Sequence, residues 1–371
     1  MLNDCTMVSL VGCDSSKSQA SARADEDMAL DQLMAMLEVE RSYHVPHIPC
    51  RGSPDDTDRL PYGEWRRKIC QWSFKVIDHF RLDREVVSCA LNIFDRYLAS
   101  KPVSLSFGDS CPCPSCQRSI DSRCFQLTAM TSLYLAMKVY SDNSDEAMSP
   151  YRRLRLTSFV ELSRGQFCAA DITAMEEAIL KELKWKVHPP TPMTAVSYLL
   201  RLMPPQTCVP YASRKSYDLV LHVLHELARY LTELSVCLGS VCSVHSASEV
   251  AYAAVLVSMD LLTHSALPYD VRDAFNESVV ATSASSGGTI LTPNDENIKI
   301  LQDRLRSSFW PEMLMDDCEN AESGHPISMA RDFGLLDISS ITNTPSSISR
   351  SPTSHKGDWE GSPVSVSRGA F

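Results

Sequence analysis

A chain of 371 residues exceeds one small core and suits two modest domains with tails. With 35 Lys and Arg against 46 Asp and Glu, its formal charge of −11 argues against a phosphate backbone as main partner and favours a protein or a small substrate. No run of about 18 apolar residues occurs, and the opening MLNDCTMVSLVGCDSSKSQA has Asp4 and no basic stretch before its short apolar part, so the chain reads as soluble and not secreted.

The fourteen cysteines mostly stand singly inside apolar helical patterns, where a reduced thiol acts as a small hydrophobe; a reducing compartment, nucleus or cytoplasm, is expected. Residues 1–28 and 319–371 are rich in Ser, Thr, Pro, Gly or Asp without apolar period and are expected to be disordered tails. Between them apolar residues recur at helical spacing and sustained alternation is absent, so the fold is expected to be all-α.

In chain order, a first long helix carries Trp65, Ile69, Trp72, Val76 and Phe80 as its apolar stripe, with Ile77 beside it, and stops at FRLDRE, where Asp83 can cap the next. The second carries Val86, Val87, Ala90, Leu91, Phe94, Tyr97 and Leu98 and ends before Lys101-Pro102. A third, from Phe125 to Tyr140, follows a loop of Cys and Pro. A short helix fits Thr157–Ser163 with Thr157 as cap, and a longer one fits Ala170–Leu183 around Ile172, Met175 and Ile179. VHPPTPMTAVSYLLRLM then breaks the chain with three prolines and restarts it, as a linker between helical domains does. The second half holds candidates at Met193–Leu202, Ser213–Leu234, Ser246–Leu262, a short one at Tyr269–Phe275, and Asp295–Phe309, with ESVVATSASSGGTILTPND as a flexible insertion. The predicted domains are residues 29–190 and 191–318.

Arg66 beside the first stripe and Asp95 beside Phe94 are charges in core-like company. Two such charges are tolerable in an interior only as a pair, since removing one partner strands the other.

Arg66 six residues before Trp72, followed by Asp-Arg-Tyr-Leu at Asp95–Leu98, resembles the cyclin box. FQLTAMTSLYLAMK (Phe125–Lys138) is similar to the third helix of that box, AMEEAILKELKW (Ala174–Trp185) to the fifth, and MLEVERSY (Met36–Tyr43) to the lead-in of D-type cyclins. The resemblance runs from Leu33 to about Pro190 and is weaker in the second half. It implies two tandem five-helix boxes and a buried Arg66–Asp95 ion pair. It also implies a non-catalytic subunit that binds and activates a cyclin-dependent Ser/Thr kinase in cell-cycle control, with Lys138 and Glu176 facing the kinase. Trp72 and Gln126 match the patch that docks substrates or inhibitors, but Lys68 stands where an apolar residue is usual. The acidic pair that often follows the third-helix Lys is missing, and the N-terminal tail lacks a Leu-x-Cys-x-Glu motif and a clear Arg-x-x-Leu destruction box.

Outside the resemblance, Cys111, Cys113, Cys116 and Cys124 admit a four-thiolate zinc site or a reduced insertion. The missing second Cys-x-x-Cys and the prolines at 112 and 114 favour the insertion, and no cofactor is expected. Thr344, Ser351 and Ser362 each precede Pro in the tail, where phosphorylation could control turnover through a ubiquitin ligase. No membrane or nucleic-acid partner is expected. The rival reading on the same fold is a general transcription factor binding DNA, against which stand the acidic charge and the lack of a zinc ribbon; a cysteine-dependent enzyme finds no partner signature in His222, His225 or His245. No phosphate loop, His-Glu-x-x-His or nucleophile elbow is present.

Overall fold

The computed structural model describes residues 28–43, 61–100, 122–141, 155–205, 217–238, 241, 245–287, 289–309 and 326–337. These residues form an all-α structure with no strand among them, apart from one antiparallel bridge between Leu262 and Leu336. Their apolar side chains gather into two large clusters, one for each half of the chain.

The first half is built on α2 (Pro61–Phe80), α3 (Glu85–Ser100), α4 (Ser122–Ser141), α5 (Leu156–Leu162) and α6 (Ala169–Glu182). Pro61 opens α2, where its missing N–H costs nothing. Arg81 ends it in the left-handed region at φ 54°, with the amide of Leu82 reaching back to the carbonyl of Ile77. Asp83 then caps the next helix by accepting from the amide of Glu85 at 2.8 Å. The face of α2 that is sealed inside is Arg66, Cys70, Ser73, Phe74, Val76 and Ile77; of the expected stripe Val76 is buried, while Trp65, Ile69, Trp72 and Phe80 are half-buried and pack against the core. The expected stripe therefore lies along the edge of the sealed face. A count of apolar residues passes over Arg66, whose paired charge makes it as interior as Phe74.

Helix α3 has eleven of its sixteen residues buried, so nearly the whole helix is interior, Asp95 and Arg96 included. Helix α4 is buried on every side from Thr128 to Met137, which only a helix enclosed by others permits. The short helix α5 begins one residue before Thr157, with extended Arg155 as its boundary and no side-chain cap. Leu156 packs on the first cluster and draws the helix start back with it.

The second half comprises α7 (Pro192–Leu199, continued by a 3₁₀ turn Leu200–Leu202), α8 (Tyr217–Cys237), α9 (Ala247–Asp260), α10 (Tyr269–Ser285) and α11 (Glu296–Ser308). Thr191 caps α7, with Pro192 at its first position. Ser246 and Glu249 form a reciprocal capping box on α9. Helix α10 runs ten residues beyond the short helix expected there, through what reads as a flexible insertion. Its hydroxyls turn inward: Ser278 donates to the carbonyl of Ala274 at 2.9 Å and Thr282 to that of Ser278 at 2.7 Å, so polar residues sit in the helix without orphaned groups.

Two more helices depart from the expected domains. Helix α1, residues 28–41, belongs by sequence to the first, yet Leu33, Met36 and Leu37 pack into the second cluster. Glu40 accepts from the amide and hydroxyl of Ser248 at 2.8 and 2.6 Å, and Arg41 donates to the carbonyl of Ser286 at 2.8 Å. Helix α12 (Pro326–Asp332) lies within the expected disordered tail. Ala330 and Leu335 are buried on the second cluster, the amide of Thr263 donates to Leu335, and that of Asp337 donates to Leu261. Two apolar side chains and edge-like backbone bonds suffice to dock it, a pattern too short for a helical period to reveal.

Candidate functional site

Helices α4 and α6 lie against each other, with the hydroxyl of Thr128 3.7 Å from the sulfur of Met175. Their packing sets Lys138, in the last turn of α4, beside Glu176 of α6. Lys138 Nζ donates to Glu176 Oε1 at 2.6 Å and stands 5.1 Å from the ring centre of Tyr134. The Lys138 side chain is 46% exposed and that of Glu176 15%, so one end of the pair faces solvent while the other is held. A cation at a helix C-terminus is favoured by the helix dipole, but an exposed pair adds little to stability. The pair thus offers one cation and one anion, pre-positioned on neighbouring helices, that incoming polar groups can share. Tyr134 escaped the sequence reading, although its spacing of four from Lys138 on one helix was a usable signal.

A second charged pair lies inside the first half. Arg66 of α2 and Asp95 of α3 are bonded side chain to side chain and almost fully enclosed, at 1% and 2% exposure. The next residue, Arg96, donates to the carbonyl of Lys186 at 2.7 Å, and its guanidinium sits 4.8 Å from the Tyr43 ring centre. Arg96 thereby ties α3 to the turn that follows α6, a supporting role the sequence reading did not assign. Arg84 was likewise missed; it reaches Asp78 at 2.8 Å and Glu233 of α8 at 3.1 Å, joining the two halves.

On the other side of α2 a groove of about 470 Å³ is lined by Trp65, Lys68, Trp72, Gln126, Met130 and Phe167, among others. Trp72 and Gln126 thus share one concavity, and Lys68 shares it with them. Trp65 meets Phe125 edge to face at 5.7 Å, which fixes the groove's floor between α2 and α4. Of the four cysteines considered for zinc, Cys124 is exposed and free, while Cys111, Cys113 and Cys116 lie outside the described residues. Thr344, Ser351 and Ser362 also lie outside them. Among the described residues no group of three His, Cys, Asp or Glu could hold a metal ion, and no described helix is long and apolar enough to cross a membrane.

Residues 34–188 match the family model described as cyclin, N-terminal domain. That stretch is thus similar to a cyclin box. The match takes in the end of α1 and all of α2–α6, and so contains the Arg66–Asp95 pair, the Lys138–Glu176 pair and the groove. Among curated relatives, cyclin-D3-3 of Arabidopsis thaliana is 33% identical over 137 residues, 37% of this chain and 32% of that protein. The G2/mitotic-specific cyclin-B2 of Homo sapiens is 28% identical over 200 residues, 54% of this chain and 40% of that one. The matched region thus spans between a third and two-fifths of these relatives' length. A solved structure of a viral cyclin from herpesvirus saimiri aligns over 75% of this chain and 98% of its own, at 14% identity and a TM-score of 0.43.

Proposed function

We propose that this protein is a non-catalytic regulatory subunit that binds the catalytic subunit of a cyclin-dependent Ser/Thr kinase in cell-cycle control. In this reading α2–α6 and α7–α11 are its two five-helix boxes. A protein kinase needs its β3 Lys paired with the Glu of its own αC helix, and a rigid helical surface packed against αC holds that pair in place. Moving a kinase from ~1% to ~99% active conformer requires a preference of roughly 5.5 kcal/mol for the active form. Apolar burial between helices supplies most of it, while Lys138 and Glu176 fix the register through charge-assisted bonds to backbone groups.

The observation that carries this reading is the juxtaposition of Lys138 and Glu176 on adjacent helices inside the matched box. The groove holding Trp72 and Gln126 is the proposed docking place for kinase substrates or inhibitors, with Lys68 biasing it toward acidic residues near the docked motif. Thr344, Ser351 and Ser362 are proposed phosphorylation sites that control turnover through a ubiquitin ligase, in the nucleus and/or cytoplasm.

The test exchanges the charges: Lys138→Glu together with Glu176→Lys. The exchange keeps an ion pair within the chain, so the melting temperature should hold, but each group then faces a backbone dipole of the wrong sign. Two lost charge-assisted bonds at ~1.5–3 kcal/mol each weaken kinase binding at least about a hundredfold, at 1.4 kcal/mol per decade. A pull-down in which the exchanged variant retains its kinase as well as the wild type overturns the reading.

A further inference from the structure

Cys70 and Cys237 come from different halves of the chain and meet where the halves join. Cys70 lies in the middle of α2 with no exposed surface, inside the first apolar cluster. Cys237 is the last residue of α8, half-buried, and packs on that same cluster. The Cys70 thiol donates to the carbonyl of Val236, the residue before Cys237, at 3.4 Å, and the Cys237 thiol is near enough to act electrostatically on that of Cys70. Both are free thiols. The other buried described cysteine, Cys89, spends its thiol on the carbonyl of Val187 and has no such neighbour among its electrostatic partners. Packing alone needs only a small apolar side chain at either site. Two sulfurs brought together from separate helices, one sealed and one half-open to solvent, are what a reversible cross-link requires.

We propose that Cys70 and Cys237 are a redox modification site, forming a disulfide on exposure to a hydroperoxide and so stapling α2 to the end of α8. Cys237, the sulfur with access to solvent, reacts first. Its thiolate gives an electron pair to one peroxide oxygen, the O–O bond breaks, and water or an alcohol leaves Cys237 as a sulfenic acid. The Cys70 sulfur then attacks Cys237, the S–O bond breaks as the S–S bond forms, and hydroxide departs with the Cys70 proton as water. Two thiols lose two electrons and two protons, and the peroxide takes up both. Burial holds the Cys70 thiol well above its ordinary pKa, which keeps it from meeting the peroxide itself and fixes the order of the steps. The bond would close a loop through most of the first half and the start of the second, so it constrains the unfolded chain strongly and prevents the halves from separating.

The full-length chain is treated with hydrogen peroxide, alkylated after unfolding and digested with trypsin. The expected product joins the peptide Ile69–Lys75 to the peptide Tyr230–Arg272, disappears with dithiothreitol, and accompanies a rise in melting temperature of about 5 °C. The second peptide also holds Cys242, so the link must persist in Cys242→Ser and vanish in Cys237→Ser or Cys237→Ala. In Cys70→Ala, which has no resolving thiol, Cys237 should instead be trapped by dimedone as a sulfenic acid. Absence of the cross-link in the wild type, its survival without Cys237, or no dimedone adduct at Cys237 in Cys70→Ala overturns the proposal.

Discussion

The two halves of the molecule solve the same problem of enclosing a central helix in different ways. Around α4 the interior admits charge: Arg66 and Asp95 are sealed in with Phe94 and Phe125, and Arg96 is buried beside them. Around α9 it admits less, Glu233 of α8 and Arg272. Helix α9 is buried from Val250 to Met259, and Ala251, Ala253 and Ala254 supply the small surface on which α7, α8 and α11 close in. The buried charge at its far end, Arg272, is spent on the carbonyls of Leu262 and Leu267, both at 2.9 Å. A side-chain ion pair is satisfied by one helix arrangement only, whereas small-residue packing is specified by volume. The first half should therefore break through charge and the second through size.

The largest effect is expected at Arg66 and Asp95. Arg66→Ala or Asp95→Ala leaves the partner charge desolvated and should cost about 3–5 kcal/mol, read by chemical denaturation. Arg67→Ala, one residue along α2 on a less buried face, should cost well under 1 kcal/mol. Replacing the pair by two apolar residues of similar volume, as Arg66→Met with Asp95→Leu, should recover most of the loss, because no charge is then stranded. Equal losses for the single and double variants would mean that Arg66 and Asp95 do not act as a pair.

Ending the chain at Asp317 comes next. It removes α12, exposing what Leu335 covers and leaving the backbone groups of Leu261 and Thr263 to water. Burial of one Leu is worth ~1.5–3 kcal/mol and each backbone bond about 1 kcal/mol net, less the entropy regained by the freed segment. A net loss of about 2–4 kcal/mol is expected, confined to the second half. A truncated chain as stable as the full one would show that α12 rests on the core without contributing to it.

Overpacking tests the second half directly. Ala253→Leu inserts three carbons where neighbouring helices already touch and should cost about 1–3 kcal/mol, with no charge involved. The same chain should keep kinase binding through Lys138 and Glu176, since those groups sit on the first half. Loss of kinase binding at unchanged folding would show that the second half also carries contact surface.

The first half was more legible than the second for physical reasons that particular residues show. Asp83, Trp72 and the Asp-Arg-Tyr-Leu stretch advertise caps and a charged interior in short, local patterns. The meeting of Lys138 with Glu176 across 38 positions is not local, and only the resemblance pointed to both. Periodicity set the interior face of α2 toward its edge, because Arg66 and Ser73 do not score as apolar although they are buried. In α10, serines and threonines that bond back to their own helix imitate a loop. The destination of α1 was invisible: Leu33, Met36 and Leu37 announce an amphipathic helix, but nothing local says that its partner is α9, more than 200 residues away.

The smallest expected effect concerns that joint. Glu40 of α1 is half-buried at the N-terminus of α9, where it accepts both bonds from Ser248. Burial raises its pKa above the ordinary 4.5, the bonds from Ser248 oppose that rise, and the nearby carboxylate of Glu249 adds to it. A carboxyl whose folded pKa is raised binds more protons in the folded state than in the unfolded one. Its contribution is therefore fully present below pH 4.5 and is lost as pH rises through the folded value. Glu40→Gln, which can still accept from Ser248, removes the titration and keeps much of the geometry. Denaturation curves taken from pH 7 downward should then show the wild type gaining on the variant as pH falls, with the difference levelling off below about pH 4.5. Parallel curves would mean that Glu40 titrates as freely in the folded chain as in the unfolded one.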